Sequence, residues 1–314
     1  MTATFVQQVE EYIALRRGLG ARLRSQGPVL LDFGRFLDRA GHCGPITTEL
    51  ALRWAQAPQS KDPDQTARRL GVIRSFLRHR AGFDPATEVP PPQLLGCGVR
   101  RKPPHVYSPV EVQALLEACA QLWPRQGLRP RTYRTLFGLL FATGLRVSEA
   151  LGLEDADVDL ADGVLTVRHG KAGKSRLVPL HPTALAPLRR YILDRDRVAP
   201  CSPAFFRTEN QARVSYTAVR MTFGLLRRRL GWTAQGRSRR PRLHDARHTF
   251  AVGCLLRWYR EGIHPDRRIA HLATYLGHIE VRDTYWYLSA VPELSALASE
   301  RFERFADRVR EDRP

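Results

Sequence analysis

Ala142-Thr143-Gly144-Leu145-Arg146-Val147-Ser148-Glu149-Ala150-Leu151-Gly152-Leu153 is the stretch on which the reading of this chain turns. Gly144 breaks one helical run, and Arg146 opens the next within two residues. An arginine at such a junction is either buried against carbonyl groups or held out toward an anion. Three further stretches share its chemistry. They are Gly170-Lys171-Ala172-Gly173-Lys174, Leu243-His244-Asp245-Ala246-Arg247-His248-Thr249-Phe250, and Leu276-Gly277-His278 with Tyr287 nine residues on.

Composition narrows what these residues act on. The chain has 314 residues, enough for two domains of ordinary size, and 43% of them are hydrophobic, enough for a real core. No apolar run of about 18 residues occurs, so no transmembrane helix is expected. The N-terminus lacks the pattern of a secretory signal, which points to the cytoplasm, at the nucleoid. The five cysteines (Cys43, Cys97, Cys119, Cys201, Cys254) are odd in number and widely spaced, with no C-x-x-C. Neither a disulfide framework nor a metal site is expected, and no cofactor.

Net charge is +19. Residues 1–103 hold 16 Lys+Arg against 9 Asp+Glu, and residues 104–314 hold 34 against 22, so both parts are basic. A polyanion gripped from two sides fits this balance. No basic amphipathic anchor for an anionic membrane stands out. Only four of the 50 basic residues are lysines: Lys61, Lys102, Lys171 and Lys174. A lysine can give up its proton near neutral pH and an arginine cannot, so Lys171 and Lys174 mark a place where arginine will not serve.

The periodicity predicts a small all-helical domain over residues 1–88. Phe5, Val9, Tyr12 and Ile13 sit at helical spacing, Pro28 opens a second helix, and two more follow near 47–57 and 63–80. Its surface carries Arg68, Arg69, Arg74, Arg78 and Arg80, a candidate DNA-contacting face. Residues 89–104 are Pro- and Gly-rich and read as a linker, whose Arg100, Arg101 and Lys102 can track a DNA backbone. Ser108-Pro109-Val110-Glu111 restarts a helix with a capping box in a second domain, 105–314. There the period changes at Val158–Val167 and Arg176–Leu180, which predicts a β-hairpin around Gly170–Lys174. Helices are expected again near 182–195, 212–230, 244–259 and 266–276, with an amphipathic one at 292–310. The fold class expected is mainly α with a small antiparallel β-sheet, in two domains.

Two guanidiniums around a phosphodiester stabilise the charge that gathers on its non-bridging oxygens during substitution. Arg146 and Arg247 supply them. His244, three residues before Arg247, sets a histidine donor beside one of them on the same helix side. His278 stands at a helix end, its ring expected to point outward. Tyr287 is the nucleophile, and cationic neighbours should favour its phenolate. Attack gives a phosphotyrosine that keeps the bond energy for religation. Lys171, in the hairpin turn, is the general acid for the leaving 5′ oxygen. His248 reads as a histidine that packs or supports its neighbour Arg247, and the remaining histidines as structural or surface groups.

These motifs in this order resemble the tyrosine recombinase (phage integrase-like) family over residues 108–290, with the N-terminal helices resembling its core-binding, SAM-like domain more loosely. The resemblance implies catalytic roles for Arg146, Lys171, His244, Arg247, His278 and Tyr287. Glu149 becomes an acidic support for Arg146, Lys174 the runner-up lysine, and Tyr285 a decoy at the wrong offset. It implies a C-shaped clamp on double-stranded DNA and a homotetramer during exchange, with related recombinase subunits as an option and the 292–310 helix docked on a neighbour. The expectation is a site-specific recombinase or integrase of a mobile element. The rivals are a chromosome-dimer-resolving recombinase, a type IB topoisomerase-like enzyme and a catalytically silent DNA-binding protein.

Overall fold

Caps and apolar spacing set the helices of the first half of the chain. In the computed structural model, which describes residues 4–57, 63–95, 104–168, 175–234 and 240–289, the chain divides into two units, Met1–Arg101 and Lys102–Pro314. In the first, α1 (Phe5–Gly18) starts on a Thr4–Gln7 capping box. The carboxylate of Asp38 accepts from the Phe5 and Val6 amides, so the end of α2 (Gln26–Arg39) closes the start of α1. This satisfies donors that have no partner inside a helix. Helices α3 (Thr48–Gln56) and α4 (Pro63–Ala81) complete the unit. Its core gathers Val9, Ile13, Leu30, Phe33, Leu37, Trp54, Ile73 and Phe76. Helix α2 begins two residues before Pro28 and not at it, because a proline in the first turn removes only an amide that had no helical acceptor.

The second unit is built around α6 (Leu128–Thr143), whose Leu128, Leu136, Phe137, Leu139 and Leu140 are buried. It packs against α5 (Pro109–Cys119), α8 (Pro182–Asp196) and α10 (Asp245–Arg260). The capping box of Ser108 and Glu111 is present with Pro109 in the first turn. Between α7 (Val147–Gly152) and α8 lies a three-stranded antiparallel sheet in the order β1 (Val158–Asp159), β2 (Val164–Val167), β3 (Arg176–Pro179). Leu165 faces Val178 and Val167 faces Arg176 across the β2–β3 pair. The expected turn between them, with Lys171 and Lys174, lies outside the described residues, as does the 292–310 stretch. The architecture is thus mainly helical with a small antiparallel sheet, as expected.

Helix α9 (Tyr216–Arg229) starts later than its apolar pattern suggests, because Ser215 accepts from the Ala218 amide and fixes the first turn there. A 3-10 turn at Pro265–Arg267 precedes α11 (Ile269–Leu276). Helix α12 (Arg282–Ser289) is not legible from periodicity. With α10 and α11 it forms a second core of Ala251, Val252, Leu255, Leu272, Leu276 and Tyr287. Among the described residues, no helix is long and apolar enough to cross a membrane.

Candidate functional site

Two left-handed glycines turn the chain into the site. Helix α6 ends at Gly144, φ 63°. A Cβ there would lie 2.7 Å from Phe250 Cδ1, so no other residue fits without moving that ring. Two residues on, Arg146 is the N-cap of α7. Its backbone amide donates to Glu149 Oε2 at 3.0 Å and its Nη1 to Oε1 at 2.6 Å. Helix α11 ends at Gly277, φ 68°, whose carbonyl accepts from Arg146 Nη2 at 3.1 Å. Arg247, in the first turn of α10, returns the link: Nη1 donates to the Gly144 carbonyl at 3.0 Å and Nη2 to that of Leu276 at 2.6 Å. The two arginines therefore stitch three segments together through the carbonyls at two helix ends, where helices leave acceptors unpaired.

Arg247 is only 2% exposed. Burial, and then the Arg146 cation, bring its guanidinium down to about 10, which leaves it charged at neutral pH. Glu149 is the counter-charge. Burial pushes its carboxyl up, but hydrogen bonds from Arg176 and from the Arg146 amide, with both cations, overrule that and hold it at about 2.

His244 is the N-cap of α10 and stays open to solvent at its edge. Partial desolvation, then the cations of Arg247 and Arg242, hold its imidazole below the usual histidine range. A neutral imidazole still offers one N–H to a phosphate oxygen. His278 follows Gly277, but its ring does not point outward as the helix end suggests. It stacks on Tyr287 with ring centroids 6.1 Å apart, and its Nδ1 hydrogen-bonds with Thr284 Oγ1 at 2.7 Å. Thr284 is fully buried on α12 and fixes that orientation.

Tyr287 is 3% exposed, in contact with the rings of His248 and Trp286 as well as His278. Its phenol is pushed up by burial, against the lowering effect of Arg247, which acts as charge and hydrogen-bonding partner, and of Arg146. The expectation that cations favour the phenolate is thereby reversed in this state: desolvation outweighs them. Both arginines nonetheless act on the hydroxyl from the same chain. Tyr285 is separated from this pocket. It is 43% exposed, with its hydroxyl donating to Asp266 at 3.4 Å.

Two residues of the site, Arg176 and Thr284, were not singled out from the sequence, and a third, His248, was read as a packing or supporting group. Arg176 forks onto Glu149, Nη1 to Oε1 at 3.1 Å and Nη2 to Oε2 at 2.9 Å. Thr284 orients His278. His248 sits between His244 and Tyr287, burial holding its imidazole at about 3, with a buried Nδ1 that has no hydrogen-bond partner. A signal for Arg176 existed: it lies two residues before buried Val178, on the inward register of β3. Thr284 had none.

The remaining candidates divide by position. Lys171, Lys174, Arg100, Arg101 and Lys102 lie outside the described residues. On α4, Arg68 and Arg78 are exposed and Arg74 is half-buried. Arg69 is engaged within its own unit, 4.0 Å over the Trp54 ring and 2.9 Å from Asp32. Among the described residues, no cluster of three or more His, Cys, Asp or Glu side chains could hold a metal ion.

Two cations, a neutral imidazole and a phenol gathered around the ends of α6 and α11 are suited to receiving a phosphodiester. Known proteins agree with that reading. The phage integrase family is matched over residues 106–293. A Sinorhizobium fredii protein bearing the name integrase/recombinase y4rB is 45% identical over 308 residues, 96% of this chain and 98% of its own length. The tyrosine recombinase XerD of Caulobacter vibrioides is 28% identical over 296 residues, 90% of each chain. Among solved structures, the Tn1549 transposon integrase in complex with transposon right end DNA is similar with a TM-score of 0.69, at 19% identity, over 97% of this chain and 100% of that one. With its motif set, its fold and a match over more than half its length, the chain belongs to the phage integrase family of tyrosine recombinases.

Proposed function

We propose that this chain cuts and rejoins double-stranded DNA at specific sites through a covalent 3′-phosphotyrosine at Tyr287, as the recombinase or integrase of a mobile element. The observation that carries this reading is the convergence, within one chain, of Arg146 and Arg247 on the carbonyls at the end of α11, with His278 directly after that end stacked on the Tyr287 ring. Arg146 and Arg247 neutralise the non-bridging oxygens, His244 and His278 donate to them, and Tyr287 attacks phosphorus as its phenolic proton passes to a neutral imidazole of the site and the bond from phosphorus to the 5′ oxygen breaks. Lys171 protonates the departing 5′ oxygen. Further copies of the chain, four on two DNA sites, complete the exchange, and related subunits are an option. The work is done in the cytoplasm, at the nucleoid.

The test sequences the DNA that flanks the gene for inverted repeats and uses a nicked duplex drawn from any that are found. The unaltered protein is expected to form a covalent adduct, and to do so in EDTA, since guanidiniums supply the charge neutralisation. Tyr287→Phe should bind the same DNA and form none. Site-bound protein that never forms an adduct would leave the silent DNA-binding reading in its place. Relaxation of supercoiled DNA lacking the site would favour the topoisomerase-like one.

A further inference from the structure

Glu149 has two arginine partners, and the motif set accounts for one. Arg146 takes Oε1 at 2.6 Å through its side chain and Oε2 at 3.0 Å through its amide. Arg176 takes both oxygens end-on through Nη1 and Nη2, at 3.1 and 2.9 Å. The carboxylate side chain is 6% exposed, so little water screens the three charges. One anion shared by two cations leaves a net positive charge. One anion held by Arg146 alone would leave a neutral pair, and a phosphate would meet a guanidinium already drawn onto its partner.

Arg176 makes a third bond, from Nε to the Tyr275 carbonyl at 2.7 Å. Its guanidinium lies where a side chain on Gly277 would stand, 2.8 Å from the ideal Cβ. Arg146 grips the same turn at the Gly277 carbonyl. The last turn of α11 is thus held at two carbonyls, two residues apart, and His278 follows directly. Arg176 is also the first residue of β3, so it ties the strand that follows the lysine-bearing segment to the turn that carries His278.

We propose that Arg176 is a positioning residue for phosphoryl transfer, which shares Glu149 with Arg146 and anchors the His278 turn so that the N–H groups of Arg146 not taken by Glu149 and Gly277 stay available to phosphate. The proposal rests on the recombinase reading for its reaction. A plain structural ion pair would predict lost stability alone, and the two are separable.

The full chain is used, as wild type, Arg176→Gln, Arg176→Lys, Glu149→Gln and the Glu149→Gln/Arg176→Gln double variant. Single-turnover adduct formation on the nicked duplex is measured beside duplex affinity. Arg176→Gln is expected to slow adduct formation about 10²-fold, the scale of a small misplacement at a reacting centre, with affinity within about threefold. Arg176→Lys restores the charge without the fork and should recover about tenfold of the loss. In the Glu149→Gln background the Arg176→Gln change should cost clearly less than its loss of about 10²-fold in the wild type, since the shared charge is gone and only the anchor at the Tyr275 carbonyl is lost.

Wild-type rate in Arg176→Gln, or an undiminished loss in the Glu149→Gln background, overturns the proposal. So does a loss matched by weakened binding. Should Arg176→Gln fail to fold, the Lys variant and the double variant, whose carboxylate is neutralised, carry the same comparisons. Should the wild type form no adduct, the recombinase reading falls instead. Arg176 is then judged by the Arg146-dependent affinity for orthovanadate. That affinity is expected to weaken about tenfold in Arg176→Gln and to return in the double variant; no change overturns the proposal.

Discussion

Tyr287 is the proposed nucleophile, and its surroundings carry the electrostatics. Burial keeps the phenol protonated against two arginines, so contact with a phosphate anion between those arginines alters a balance that burial now wins. Arg146→Ala should remove on the order of 3–4 kcal/mol of transition-state stabilisation, the scale of losing one oxyanion donor. In single-turnover adduct formation that is about a 10²–10³-fold slower rate, and a rate within a factor of three of wild type would refute the role. His248 gives a second prediction at this scale. Its imidazole titrates at about 3 in the folded chain and near 6.5 when unfolded. The unfolded state therefore takes up the proton first as pH falls. The stability that neutral His248 contributes is complete above about pH 6.5 and is lost progressively toward pH 3. Urea melts at pH 7.5 and 5.0 should show the wild type losing more stability than His248→Phe. Equal losses would show that burial does not hold His248 neutral. Glu149, folded at about 2, is lost over a lower window, below its ordinary range near 4.3, so it does not confuse the comparison.

At the scale of elements, the site exists because two helices stop in the left-handed region. Gly144 and Gly163 both have positive φ, 63° and 66°, in the same unit. At Gly163 an added Cβ meets only atoms at 3.8 Å or beyond, whereas at Gly144 it meets Phe250 and Leu276 at 2.7–3.1 Å. Gly163→Ala should cost the left-handed penalty of roughly 1–2 kcal/mol and leave adduct formation intact. Gly144→Ala should cost clearly more and abolish adduct formation, because the carbonyl that receives Arg247 must move. Equal unfolding costs for the two would remove crowding from the account. Several of these elements were legible in advance. The capping box at Ser108, the apolar spacing of α1 and the period-2 runs of β2 and β3 are local signals, each readable within a few residues. Helix α12 was not: eight residues with three aromatics give no periodic stripe, and packing on α10 and α11 makes it a helix.

At the scale of the whole molecule, +19 of net charge predicts how it meets DNA. If six to ten phosphates are neutralised, affinity should fall about 10³–10⁵-fold between 50 and 200 mM salt. Fluorescence anisotropy on a duplex of the recombination site measures this, and an affinity indifferent to salt would refute the two-sided polyanion grip. The sequence by itself determined the proposed reactive set, because arginine, histidine and tyrosine are the groups that phosphoryl chemistry needs and their motifs are local strings. It also determined the helical class, through periodicity and caps. Only the tertiary structure decided that Arg176 shares Glu149 across 27 residues, and that Arg146 reaches the carbonyl before His278 across 131. It alone turned His278 inward and sank Tyr287 among aromatic rings. Those outcomes depend on side chains from remote segments meeting in a low-dielectric pocket, where the winner between burial and charge is set by the neighbours that folding brings, and no short stretch of sequence contains them.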